Sequence, residues 1–180
     1  MANSPLWYAL VPVALAAAPS PSHAAQYLSV SEAQRALFPA ATLFVDRTLR
    51  FTPEQRKAIG KAAGLAPGAT QPVWEVRGAN GRLGWLFIDR VTGKHELITY
   101  ALALDAAGTV RGLEILDYRE TYGGEIRNPG WRQQFVGKRA GSVIRLGSDI
   151  RNISGATLSS RHVTDGVRRL LATYNQLLQA

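Results

Sequence analysis

The sequence predicts an α+β domain: a small antiparallel sheet of about four to five strands flanked by helices. Between Pro72 and Tyr118, β-rich runs alternate with short glycine-containing turns, which is hairpin chemistry because such turns need positive φ. After Ser159 the apolar residues recur at helical spacing, the mark of one long helix packed on a core. The chain has 180 residues, 46% hydrophobic and 19% charged, enough for one core and too apolar for a disordered chain. With no Cys, disulfide scaffolds, iron–sulfur clusters and thiol catalysis are excluded.

The elements follow in order. A short helix is expected over Ser31 to Leu37, stopped by Pro39, and a strand over Ala41 to Phe51. Thr52 then caps a helix with Pro53 at its first position, ending near Gly64. Strands are expected over Pro72 to Arg77, Leu83 to Arg90, His95 to Asp105 and Val110 to Tyr118, separated by Asn80-Gly81, Thr92-Gly93 and Ala107-Gly108. Past Tyr118 comes a polar loop through Glu120, Thr121, Tyr122, Gly123, Gly124 and Glu125, then a short helix over Trp131 to Val136. In the last helix Val163, Val167, Leu170, Leu171, Tyr174, Leu177 and Leu178 share one face, with Arg161, Asp165, Arg168 and Arg169 largely opposite. There is no internal repeat and no dividing linker.

Residues Leu6 to Ala18 form an apolar run interrupted by Pro12 and followed by Ser22-His23-Ala24. This pattern is expected of a secretory signal peptide over residues 1–24, although Met1 to Pro5 carries no Lys or Arg. An uncleaved interfacial segment is the alternative; the run is short of the roughly 20 residues a membrane span needs. Export places the protein in the periplasm or another extracytoplasmic space, with possible inner-membrane association. The net charge of +8 lies wholly after residue 24. Export and the lack of any basic run with interleaved aromatics argue against nucleic acid and leave acidic partners or lipid headgroups.

The informative segment is Ile153 to Ser160, which feeds small residues and four hydroxyls into a helix start. Gly155 and Ala156 let the backbone approach a ligand, and unpaired N–H groups at a helix start attract an anion. A plain serine cap after a tight turn explains the same residues equally well. Ser160, His162 and Asp165 lie too close together on one helix start to converge as a hydrolase triad. His95 and His162 have no companions for a metal site, so none is expected. Trp131 and Phe135 read as core or as a stacking wall, and Glu120 and Glu125 as solvated or backbone-ordering carboxylates.

Ser154-Gly155-Ala156-Thr157-Leu158-Ser159-Ser160 resembles the flavinylation motif of the FMN-binding domain family, which includes subunits of Rnf and sodium-pumping NADH:quinone oxidoreductase complexes. Glu120-Thr121-Tyr122-Gly123-Gly124-Glu125, Trp131 and Gln134 to Lys138 are similar to the loop and tryptophan helix that flank the isoalloxazine in relatives. The resemblance extends over roughly Gly81 to Leu171 and includes the Gly93-Lys94-His95-Glu96 hairpin. It implies an FMN-binding domain over 76–180, preceded by a helix and strand extension over 25–75. It further implies an FMN phosphoester on Thr157, made by a FAD:protein FMN transferase. Ser154, Gly155, Ala156, Ser159, Ser160, Glu120, Thr121, Gly123, Gly124 and Trp131 would form the cofactor site, with Ser159 and Ser160 as helix caps that also meet the phosphate.

Two departures stand out. The motif's Asp, six residues before the acceptor, is Arg151 here, with Asp149 displaced by two, and Tyr122 replaces a common Pro. Covalent and noncovalent FMN therefore both remain open. The implied function is an electron relay between a membrane donor and an extracytoplasmic acceptor, more a carrier than an enzyme. The alternatives are a small flavin reductase for a diffusible substrate and a module without redox function.

Overall fold

The structure, a computed structural model, describes residues 27–179; the signal segment expected over 1–24 lies outside the described residues. Helix α1 (Val30–Leu37) starts a residue before the expected Ser31, because Ser29 and Glu32 form a reciprocal capping box. The strand expected over Ala41 to Phe51 is two strands, β1 (Leu43–Asp46) and β2 (Leu49–Arg50). Asp46 Oδ1 accepts from Thr48 N at 2.7 Å, and this side-chain turn breaks the run. Helix α2 (Pro53–Ala63) has the expected Thr52 cap and closes on Gly64 at φ +75°.

Strands β3 (Thr70–Gln71), β4 (Val73–Gly78), β5 (Gly81–Thr92), β6 (Leu97–Asp105) and β7 (Val110–Tyr118) follow. One antiparallel sheet has the order β1-β4-β5-β6-β7, and β2 pairs separately with β3. The expected boundary at 75/76 falls inside β4, so residues before it supply strands and a helix to the same sheet.

Both faces of the sheet are covered, and the period-2 geometry of β5 and β6 decides what faces what. Trp85, Phe87, Val91, Ile98, Tyr100, Leu102 and Leu104 join the larger core with α4 (Thr157–Leu177). Their alternates Leu86, Ile88, Ala101 and Ala103 pack with Ala33 and Leu37 of α1 and with Phe38 just after it. Burial on both sides explains why these strands read as nearly continuous apolar runs. Helix α4 approaches the sheet at Gly166, where a Cβ would lie 2.2 Å from the Tyr100 hydroxyl.

At that crossing, buried Asp89 accepts from Tyr100 at 2.5 Å and from Arg169 at 2.6 Å. Arg169, placed by helical spacing on the polar side, is instead 8% exposed. Burial first, then the Asp89 charge, holds the Tyr100 phenol well above its ordinary range, with Arg169 offsetting part, so the hydroxyl stays a donor. Between β7 and α4 lie the short α3 (Pro129–Arg132) and one-turn 3₁₀ segments at Gly124–Arg127 and Gln133–Phe135. Among the described residues no helix is long and apolar enough to cross a membrane.

Candidate functional site

The end of β5, the end of β7 and the start of α4 converge. A cleft of about 440 Å³ is lined by Lys94, His95, Glu120, Thr121, Tyr122 and Gly155 through Ser159, within the size range of small-molecule sites. Its floor is the turn before α4. Ala156 N donates to Ile153 O at 3.0 Å across Ser154-Gly155, and Gly155 takes φ +77°. Ala156 is the N-cap residue and offers no side-chain hydrogen bond. The first-turn amides of a 21-residue helix are thus left for another acceptor. Thr157 opens the helix with its side chain exposed, and its Oγ1 accepts from Asn152 Nδ2 at 3.0 Å.

The helix was expected near Ser159, with Ser159 and Ser160 as caps; it starts at Thr157, and neither serine caps it. Ser160 is fully buried and donates to Ala156 O at 2.9 Å. Ser159 is buried with its Oγ 3.3 Å from the Tyr118 hydroxyl. Tyr118 also donates to Tyr122 O, which ties the 120–124 loop to α4. Gly123 belongs to the same contact: it has φ +87°, and a Cβ there would lie 2.1 Å from Ala156 Cβ. Gly123 and Gly124 both line a second, more open depression, with Arg127, Asn128 and Pro129.

Glu120 is a backbone-ordering carboxylate. Its Oε1 accepts from His95 N at 2.6 Å and Glu96 N at 3.0 Å. Gly93 makes room, since a Cβ there would lie 2.5 Å from that oxygen. Partial burial alone would raise the Glu120 pKa, but the amides of Glu96, His95 and Lys94 outweigh it and leave it below the ordinary value. A lowered folded-state pKa means that the anchor is complete above the unfolded value and is lost as pH falls through the folded one. On acid titration the His95 and Glu96 amide resonances should therefore move together, with a midpoint below that of an ordinary glutamate. In Glu120→Gln that shared transition should vanish; its persistence would mean that another group anchors the hairpin.

Trp131 lies behind the cleft, not in it. It is buried, packs edge-on against Phe135 at 5.2 Å, and its indole N–H donates to Arg151 O at 2.8 Å. Gln134 Oε1 accepts from Arg151 N at 2.8 Å, so the tryptophan helix clamps the chain just before the motif. Asp149 does not stand in for the motif's acid: it holds Lys138 Nζ at 2.7 Å and Arg145 N at 2.7 Å. Of the expected site residues, Glu120, Thr121, Gly155, Ala156, Thr157 and Ser159 meet in the cleft, whereas Ser154, Gly123, Gly124, Trp131 and Ser160 support it from outside. Lys94, His95, Tyr122 and Leu158 line it without having been singled out as site residues. Among the described residues no cluster suits a metal ion.

Residues 93–172 match the family model of the FMN-binding domain. This segment is an FMN-binding domain. The NqrC-type component of the Na(+)-translocating NADH-quinone reductase of Yersinia pestis is 34% identical over 108 residues, covering 57% of this chain and 40% of that protein. The RnfG-type component of the Na(+)-translocating ferredoxin:NAD(+) oxidoreductase complex of Acetobacterium woodii is 30% identical over 94 residues, covering 47% of this chain and 44% of that protein. The matched regions thus span less than half of either relative. Among solved structures, the NqrC-type component of the Na(+)-translocating NADH-quinone reductase from Parabacteroides distasonis covers 85% of both chains with a TM-score of 0.56 and 16% identity. NqrC of Shewanella oneidensis covers 85% of this chain and 78% of its own, with a TM-score of 0.50 and 17% identity. These likenesses concern the fold, and they bear out the α+β expectation.

The FMN-binding domain's cleft fits its cofactor. Uncapped first-turn amides and the exposed Thr157 hydroxyl suit a phosphate. Tyr122 and Leu158, 76% and 42% exposed, offer apolar surface that no internal packing accounts for.

Proposed function

We propose that this protein is an extracytoplasmic flavoprotein electron carrier whose FMN is joined through its phosphate to Thr157. The observation that carries this reading is the placement of an exposed threonine hydroxyl at the uncapped start of α4, on the wall of the cleft closed by Glu120 to Tyr122. When bound, the flavin supplies one- and two-electron chemistry. The chain's own residues do the rest. The first amides of α4 and the helix dipole hold the phosphate. Tyr122 and Leu158 give the ring an apolar resting place, and the anchored 93–96 hairpin brings Lys94 and His95 to the same cleft.

Several features support the wider reading. The apolar segment before residue 24 suits export, and periplasmic FMN at low concentration would escape a purely noncovalent site. Relatives named as subunits of Na(+)-translocating redox complexes support a membrane electron donor. A FAD:protein FMN transferase is the partner that would load the cofactor. The test is to export the protein in a host with an active transferase, denature it and image the gel for flavin. A fluorescent band whose intact mass is raised by FMN less one water supports the reading. A colourless band of unmodified mass contradicts it, and flavin released on denaturation would mean noncovalent binding.

A further inference from the structure

Asn152 has no assigned role. Its Nδ2 donates to Thr157 Oγ1 at 3.0 Å, and the frame around this bond is fixed on several sides. Trp131 Nε1 and Gln134 Oε1 hold the carbonyl and the amide of the preceding residue, Arg151, each at 2.8 Å. Ile153 is buried, and its carbonyl closes the Ser154-Gly155 turn on Ala156 N. Ala156 in turn packs in the space left by Gly123. Asn152 therefore leaves a clamped backbone and reaches over a closed turn to the one exposed hydroxyl of the helix start.

We infer that Asn152 is a positioning residue for modification of Thr157, an inference that rests on the acceptor reading above. A threonine in a helix divides its hydroxyl between rotamers, and the amide of Asn152 selects one. A hydroxyl has two acceptor lone pairs and one proton. The amide occupies one lone pair, leaving the other, with the proton, for chemistry. In the transfer, Thr157 Oγ1 bonds to the flavin-side phosphorus of FAD and the P–O anhydride bond breaks. AMP leaves, the hydroxyl proton passes to a base of the transferase, and no electrons are exchanged. The Asn152 donor holds Oγ1 for attack and adds a partial positive charge where the phosphate arrives.

The test compares flavin-free wild type, Asn152→Ala and Asn152→Asp as substrates of purified FAD:protein FMN transferase with FAD, following intact mass against protein concentration. Loss of one orienting donor should lower kcat for Asn152→Ala by about tenfold or more, with KM and the unfolding midpoint unchanged. Asn152→Asp should be slower still, because its carboxylate cannot donate and repels the phosphate. Wild-type kcat in Asn152→Ala overturns the inference alone. So does a loss seen only in KM or accompanied by a lower unfolding midpoint, since that marks a loosened loop. A wild type that takes up no flavin overturns the acceptor reading and this inference with it.

Discussion

Thr157→Ala is expected to abolish covalent flavin while leaving the fold intact. The side chain is exposed, and it is held by a hydrogen bond from Asn152. Exposed substitutions of this kind usually change stability by no more than about 0.5 kcal/mol, so a fall in bound flavin cannot be blamed on unfolding. The hydroxyls that follow it on the helix do not offer a substitute: those of Ser159 and Ser160 are buried and engaged with Tyr118 and Ala156. Intact mass should therefore show no FMN adduct in Thr157→Ala, whereas Thr157→Ser, which keeps the hydroxyl, should retain it. An adduct on Thr157→Ala would place the attachment elsewhere.

The largest effect on stability is expected at the crossing of α4 and the sheet. Arg169 and Asp89 are both more than nine-tenths buried and 2.6 Å apart, with Tyr100 as the second donor to Asp89. Removing one partner of a buried ion pair leaves an uncompensated charge, so Arg169→Met should cost about 3–5 kcal/mol in urea unfolding. Replacing the whole cluster by apolar groups leaves no charge to bury. The triple variant Asp89→Leu, Tyr100→Phe, Arg169→Met should be more stable than Arg169→Met alone. If the triple variant is the less stable, the pair is a net stabiliser in its own right and this account of it is wrong.

What the sequence made legible was whatever local chemistry decides. Strand β7 runs from Val110 to Tyr118 as expected, bounded by the Gly108 turn and a polar loop. The α2 cap at Thr52 was likewise visible, as a Thr-Pro pair before a helical pattern. Long-range contacts were not. The helical pattern put Arg169 on the polar side, since the partner that draws it inward, Asp89, lies on a distant strand. Lys94 and His95 reach the cleft only because Glu120 accepts from the hairpin's amides, a contact between residues far apart in the chain. Serine's preference for caps points to Ser159 and Ser160, yet both are buried, Ser159 beside Tyr118 and Ser160 bonded to Ala156 O, and Ala156 is the N-cap residue.

The family resemblance makes Trp131 a wall of the flavin site. Its indole N–H donates to Arg151 O, a contact that no spacing rule reveals. The tryptophan, together with Gln134, holds the motif from behind.

The central claim, a phosphoester of FMN on Thr157, is met most directly by peptide mapping of the loaded protein. Trypsin cleaves after Arg151 and Arg161, so the peptide from Asn152 to Arg161 carries Ser154, Thr157, Ser159 and Ser160 together. Fragmentation should place a mass of FMN less one water on Thr157 and on none of the serines. An unmodified Asn152 to Arg161 peptide from protein that stays fluorescent after denaturation, or an adduct on a serine, would contradict the account.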